Sequence, residues 1–260
     1  MKVSKIIYLR RKLIAAGGFA LAAVLMFWVV NHPAAVGAAA TTRQLPIYCV
    51  QKDYKVLSIS FDAAWGNEDT QQLIDTLGKY NVKATFFVVG EWVDKYPESV
   101  KALSDAGHEV MCHSDSHAHF NSLSTQQIID DLNACNDKIE AVTGTRPTLF
   151  RCPYGEYDDH VINAVRSLGI EPIQWDVDSL DWKDLSAAEI TRRVTSKVQP
   201  GSIVLFHNAA LHTPEALPGI IEALLQDGYT FVPISELILT GTCGQDYNMD
   251  HTGRQCPCGS

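Results

Sequence analysis

Basic residues are the scarce class in this 260-residue chain: 21 Lys and Arg stand against 30 Asp and Glu, a formal charge of −9. That deficit excludes a nucleic-acid binder, whose affinity comes largely from cations set against phosphates. Internal repeats and low-complexity segments are absent from the body of the chain, which leaves an ordinary globular domain. Hydrophobic content of 46% and charged content of 20% agree with that class. The length suffices for one large α/β domain with a substantial core, and nothing marks a second domain. An even cysteine count is also lacking. Seven cysteines leave at least one unpaired in an exported chain, and a bridge from Cys243 to Cys256 or Cys258 is expected in the polar, Gly-rich tail. Cys112 and Cys152 are expected to be buried small apolar groups.

Long apolar runs occur in one place only. Residues 1–12 carry Lys2, Lys5, Arg10, Arg11 and Lys12, and Leu13–Val30 follows without a charge. As a helix of 18 residues it would span about 27 Å, close to a bilayer core. The basic flank predicts a single-pass transmembrane anchor over 13–30 with the N-terminus cytoplasmic and the remainder outside the cytoplasm. Val36-Gly-Ala38 and Ala38-Ala-Ala40 also fit signal-peptidase sites, which would release a secreted domain. Residues 31–53 read as a linker, 54–240 as the folded domain and 241–260 as a Cys-containing tail.

Within 54–240 strand and helix signals alternate. Apolar, β-branched runs at 56–62, 84–89, 109–112, 149–151, 172–175, 202–207 and 230–234 predict strands. Amphipathic patterns at 68–79, 91–106, 124–142, 156–168, 186–198 and 214–227 predict helices. Ser124 with Gln127 forms a capping-box signature. Seven βα units predict a parallel sheet covered by helices on both faces, open or closed as a barrel.

Four strand-like runs end in strong functional groups: Asp62, His113, Arg151 and His207. In a βα barrel those ends open on one mouth. His113-Ser-Asp-Ser-His117 spaces two imidazoles so that a helical turn would aim both at one metal ion. The motif lacks the glutamate of His-Glu-x-x-His proteases, which argues against that type of peptide hydrolysis. Arg151 requires a carboxylate when held in a site, and Asp181 in Asp178-Ser-Leu-Asp-Trp182 is the candidate. His207 titrates near neutrality and suits acid–base work. His119 reads as a loop residue.

The ordered set Ser60-Phe-Asp62, His113-Ser-x-x-His117, Arg151-x-Pro-Tyr-Gly155, Asp181-Trp182 and Val204-Leu-Phe-His207 resembles the NodB-homology polysaccharide deacetylases, carbohydrate esterase family four. Within the family it is most similar to the membrane-anchored, sporulation-associated type. The resemblance covers about 54–239. It implies a distorted (β/α) barrel with about seven parallel strands, and metal-dependent removal of N-acetyl groups from an amino-sugar polymer such as peptidoglycan or chitin. It also implies roles: Asp62 as base, His207 as acid, and Arg151 with Asp181 as a charged pair orienting the base. His113 and His117 would hold a divalent ion, zinc first, with cobalt, nickel or manganese as alternatives. The Tyr154 backbone N–H would face the oxyanion, and Trp182 and Leu205 would shape the acetyl pocket.

One position departs from the family. Two aspartates usually open its first motif, the base and then a third metal ligand, and the second is here Ala63. Asp115, Glu68 or Asp69 could compensate. Three readings follow: an active N-deacetylase with a weakly held metal, a glycan-binding protein without turnover, or an O-acetyl esterase.

Overall fold

Along Val56–Ala63 (β2) side chains alternate strictly, as the pleat of a strand requires. Leu57, Ile59, Phe61 and Ala63 join a large apolar cluster shared with the helices. Ser58, Ser60 and Asp62 take the opposite face and are buried. Every residue of β2 is buried, the signature of a strand covered on both sides. A second apolar cluster, with Ile47, Phe87, Met111, Leu149, Ile173 and Ile203, fills the other face of the sheet.

The computed structural model describes residues 43–259 together with Gly17, Gly18, Ala20, Leu21, Ala22, Val24, Met26 and Phe27. Residues Gln44–Ser260 form one compact unit. After Cys49–Val50 (β1) and β2 come Thr70–Lys79 (α1), Thr85–Val88 (β3), Gly90–Lys95 (α2), Pro97–Asp105 (α3) and Glu109–Cys112 (β4). Then follow Thr125–Thr143 (α4), Leu149–Phe150 (β5), Asp159–Ser167 (α5), Glu171–Pro172 (β6), Val177–Asp178 (β7), Ala187–Thr195 (α6) and Ser202–His207 (β8). Thr213–Gln226 (α7), Thr230–Phe231 (β9), Ile234–Leu237 (α8), Tyr247–Met249 (β10) and Arg254–Pro257 (β11) complete the unit. The longest helix among the described residues, α4, opens on the expected capping box of Ser124 and Gln127 and closes on Gly144 at φ 75°. Only glycine adopts that left-handed turn without strain.

An all-parallel barrel of about seven strands is not what forms. The sheet has eleven strands in the order β10-β11-β1-β8-β2-β3-β4-β5-β6, with β7 against β8 and β9 against β2. It curls into a half-barrel of mixed strands: β8-β2-β3-β4-β5-β6 run parallel, while β1 pairs antiparallel to β8 and β10 antiparallel to β11. A single bridge from Ile47 to Ile173 links the two flanks of the curl. Of the extra strands, β1, β10 and β11 come from segments read as linker and tail, and β7 from the stretch between β6 and α6. With two to four residues each, they are too short to carry a period.

The transmembrane helix and the membrane localisation built on it are also corrected. Among the described residues no helix is long and apolar enough to cross a membrane. A span needs about 20 continuous apolar residues, and the described helical residues of that segment fall only between Gly17 and Phe27. The cleavage sites at 36–40 and the rest of 13–30 lie outside the described residues. The tail bridge does not form either: all seven cysteines are free, with Cys112 and Cys152 buried as expected.

Candidate active site

Strand register brings the site together. β2 and β8 lie side by side with Asp62 opposite His207, and β3 and β4 continue the sheet so that His113 follows β4 at the same rim. A cavity of about 450 Å³ opens there. Asp62, His113, His117, Tyr154, Trp182, Leu205 and His207 line it, and Ala64, Trp65, Gly155, Trp175 and Asp178 complete the wall. The remaining two expected residues, Arg151 and Asp181, sit behind the surface, almost fully buried.

They do not pair with each other as the sequence reading had it. Each serves a different lining residue. Arg151 donates through Nη1 to Asp62 Oδ1 at 2.7 Å and through Nη2 to Ser60 Oγ at 2.9 Å. Its guanidinium lies over the Phe87 ring at 4.2 Å and near that of Trp175 at 5.5 Å, which lets a cation remain in a dry site. Asp181 instead holds His207: Oδ1 contacts Nδ1 at 2.8 Å, and Oδ2 accepts from the His207 backbone N–H at 2.8 Å. Thr213 Oγ1 and the Trp182 N–H fill its remaining lone pairs, at 2.7 and 2.9 Å. The exchange was hidden because Asp181 is carried by a short 3₁₀ turn, Asp181–Lys183, whose orientation no periodicity encodes.

The two couples drive protonation in opposite directions. Burial would raise the Asp62 carboxyl, but the charge and hydrogen bond of Arg151 outweigh it and hold the group below the ordinary carboxylate value. Burial would lower His207, yet the hydrogen bond and charge of Asp181 raise it above the usual histidine value. Asp62 therefore stays ionised to lower pH than an ordinary carboxylate, and His207 keeps its proton to higher pH than an ordinary histidine.

His113 and His117 meet, though not on a helical turn. Residues 113–117 form a bend, with left-handed backbone at Ser114 (φ 71°) and His117 (φ 53°). Ser114 Oγ accepts from the His117 N–H at 2.7 Å and stabilises this strained path. The rings lie 5.1 Å apart. His113 Nδ1 contacts the Arg151 carbonyl at 2.8 Å, which makes Nδ1 the donor and turns Nε2 toward Asp62 Oδ2, 3.6 Å away. Burial lowers both imidazoles, His117 to about 4, so both are neutral at pH 7.

Neutral imidazoles suit a metal, but the donor set falls short. Among the described residues no three His, Cys, Asp or Glu side chains are grouped to hold an ion. Ala63 is 1% exposed and belongs to the apolar cluster. Asp115 is engaged by Lys138 at 2.6 Å, and Asp69 accepts from the Ala209 N–H at 2.9 Å, so neither replaces the missing carboxylate. Two imidazoles do not amount to the closed donor set of a resident ion.

The structure also brings to the site residues to which the sequence reading gave no role there. Trp65, 66% exposed, lies 5.9 Å from the His117 ring, and His119 stacks on Tyr154 at 4.2 Å. Asn208 clamps the loop after β2: its N–H donates to the Asp62 carbonyl at 3.0 Å, its Oδ1 accepts from the Ala64 N–H at 3.2 Å, and its Nδ2 donates to the Gly66 carbonyl. The alternation Ser58, Ser60, Asp62 was visible in the sequence and marks the face on which Arg151 sits.

Comparison with known proteins identifies the family. A family profile described as polysaccharide deacetylase matches residues 50–173. The chain is 36% identical over 188 residues to peptidoglycan-N-acetylmuramic acid deacetylase PdaC of Bacillus subtilis, covering 72% of this chain and 40% of PdaC, so it spans well under two thirds of that relative. It is 31% identical over 188 residues to peptidoglycan-N-acetylmuramic acid deacetylase PdaA of the same organism, covering 71% of this chain and 72% of PdaA. Among solved structures, BA3943 of Bacillus anthracis, described as a CE4 family pseudoenzyme, superposes with a TM-score of 0.72 at 36% identity, covering 74% of this chain and 68% of that one. A mutant of it, described as having restored enzymatic activity, superposes at 0.71 with 37% identity, covering 74% and 71%. Fold, motif order and relatives concur: this chain belongs to the NodB-homology polysaccharide deacetylases of carbohydrate esterase family four.

Proposed function

We propose that the chain hydrolyses N-acetyl groups on an amino-sugar polymer of the cell envelope, peptidoglycan or a chitin-like glycan. The observation that carries this reading is the pair of separated couples, Arg151–Asp62 and Asp181–His207, facing one cavity with opposite proton preferences. Two titratable groups pushed apart in this way divide into a base and an acid. Arg151 occupies one oxygen of Asp62, and the other faces the cavity side to take a proton from water. The water oxygen then bonds to the acetyl carbon, and the Tyr154 backbone N–H donates to the resulting oxyanion. Asp181 fixes Nδ1 of His207, so Nε2 delivers the proton to the departing amine as the C–N bond breaks. Acetate and a free amine are the products. Trp182 and Leu205 enclose the acetyl methyl.

Ala63 favours a second reading, a glycan-binding protein without turnover, because the usual third metal ligand is missing and a pseudoenzyme of the family is among the similar structures. Acetate release from peptidoglycan and from chitooligosaccharides separates the two, with metal content measured in parallel. Release supports the first reading. Glycan binding without acetate, under any added zinc, cobalt, nickel or manganese, transfers the assignment to the second. Release from O-acetylated glycan alone would make the chain an esterase.

A further inference from the structure

The proposed hydrolysis uses none of the seven free cysteines. Two of them meet. Cys112 ends β4 and Cys135 lies on the inner face of α4, both 0% exposed and both in the helix-side apolar cluster. Cys112 is paired in register with Val88 of β3, and Cys135 Sγ donates to the Val88 carbonyl at 3.5 Å. The helix thiol thus sits over the strand residue beside Cys112, and the two thiols hydrogen-bond one another. The other cysteines have different neighbours. Cys49 hydrogen-bonds Arg254, Cys256 Sγ donates to the Arg254 carbonyl at 3.8 Å, and Cys258 accepts from Asn248 Nδ2 at 3.3 Å.

Packing as small apolar groups accounts for the burial of Cys112 and Cys135. It does not account for one sulfur being aimed at the other on a helix face that Ile128, Leu132 and Ile139 otherwise fill with hydrocarbon. A disulfide forms without backbone strain only where the chain already brings two sulfurs together, and here it does. The intervening sequence gives such a bridge a consequence. The loop it would close, residues 112–135, contains the whole His113–His117 bend with its left-handed Ser114 and His117. Closing that loop removes unfolded-state freedom from the segment that carries both imidazoles.

We propose that Cys112 and Cys135 are a disulfide site, oxidised by a small-molecule disulfide such as oxidised glutathione, whose bridge ties the end of β4 to α4 behind the imidazole pair. One protein thiolate attacks a sulfur of the oxidant and expels a thiolate, leaving a mixed disulfide. The second protein thiolate attacks the protein-side sulfur, and the bridge forms as the other oxidant-derived thiolate leaves. The protein thiols give up two protons and two electrons, and the oxidant takes up both to become two thiols. Because neither sulfur is exposed, the exchange takes place before α4 packs on β4 or when the two part. The proposal stands independently of the glycan reading, since no substrate enters it.

Refolding of the full chain from denaturant in buffers of reduced and oxidised glutathione tests this, followed by alkylation in denaturant and tryptic mapping. Trypsin leaves both cysteines in one peptide, residues 102–138, and the other cysteines elsewhere. That peptide should emerge without alkyl groups and lighter by two hydrogens. The oxidised chain should melt at least about 4 °C above the reduced one. Cys135→Ala should take up an alkyl group at Cys112 and lose that difference. Alkylation of both cysteines at every glutathione ratio overturns the proposal, as does a bridge from either one to Cys152 or to the tail. A bridge that lowers the melting temperature also overturns it, because the sulfurs would then have been forced together.

Discussion

The two walls of the catalytic cavity are held to different degrees. On one, Asp181 accepts from four donors within 2.9 Å, and Asp62 shares a 2.7 Å contact with a buried arginine braced by aromatic rings. On the other, His113 is fixed through one carbonyl, while the imidazole of His117 meets only the rings of Trp65, His113 and Tyr154. Where the family keeps a carboxylate, this wall has Ala63. Proton transfer needs preorganised dipoles and charges, which the first wall supplies through the Arg151–Asp62 and Asp181–His207 couples. Metal binding needs a full donor set, and the second wall lacks one member. The two functions are therefore separable in this chain, and substitutions on either side can show how far.

The largest effect is expected at Asp62. Asp62→Asn preserves shape and removes the base, and acetate release should fall about 10²–10⁴-fold. It also leaves Arg151 buried without its anion, a loss of about 3–5 kcal/mol when one partner of a buried pair is removed. The melting temperature should drop with the rate, and undiminished turnover in a folded variant would remove Asp62 from the mechanism. Next comes the opposite wall. Ala63→Asp places a carboxylate at a position 1% exposed, which should destabilise the metal-free protein by about 1–3 kcal/mol. Added zinc should restore the melting temperature, with metal affinity raised about tenfold or more. A melting curve indifferent to zinc would show that position 63 does not reach the imidazoles.

This contrast explains which parts of the site were legible beforehand. Asp62, His113, Arg151 and His207 stood out because each ends an apolar run, and a strand that stops in a charge has few reasons to do so. Arg151's choice of Asp62 over Asp181 was not legible. It depends on the two-residue β7 and the 3₁₀ turn after it, which deliver Asp181 to His207 rather than to the guanidinium. Strands β2 to β6, β8 and β9 followed from the apolar runs, whereas β1, β10 and β11 are recruited by pairing with one another and with β8. Trp65 received no site role from the sequence because an exposed aromatic after a strand has no periodic signature; its place beside His117 supplies one.

A smaller, more diagnostic effect is expected from Asp181→Asn. Asp181 is the group that raises His207 against its burial, so its neutralisation should bring that imidazole down. In the native chain activity should rise at acidic pH as Asp62 ionises below the usual carboxylate value of 3.8, and fall above 6.5 as His207 loses its proton. The variant should keep the acidic limb and move the alkaline limb toward lower pH. Stability follows the same signs. The His207 couple stabilises the fold fully below the unfolded histidine value and ceases to do so as pH rises through the folded one. The Asp62 couple stabilises above the unfolded carboxylate value and is lost as pH falls through the folded one. An alkaline limb unmoved by Asp181→Asn would assign that limb to a group other than His207.

The smallest effect belongs to the N-terminus of α4, where Ser124 lines neither wall, and calibrates the others. Ser124 accepts from the Gln127 N–H at the start of α4 while Gln127 returns a bond to the Ser124 N–H. Ser124→Ala removes half of that exchange and should lower unfolding stability by about 1 kcal/mol, read from the denaturant midpoint. Because α4 packs Ile128, Leu132 and Ile139 into the helix-side cluster rather than toward the cavity, kcat and KM should stay unchanged. If this variant loses activity in proportion to stability, then the losses at Asp62 and Asp181 also contain a folding component. Only the part exceeding that proportion then belongs to the chemistry.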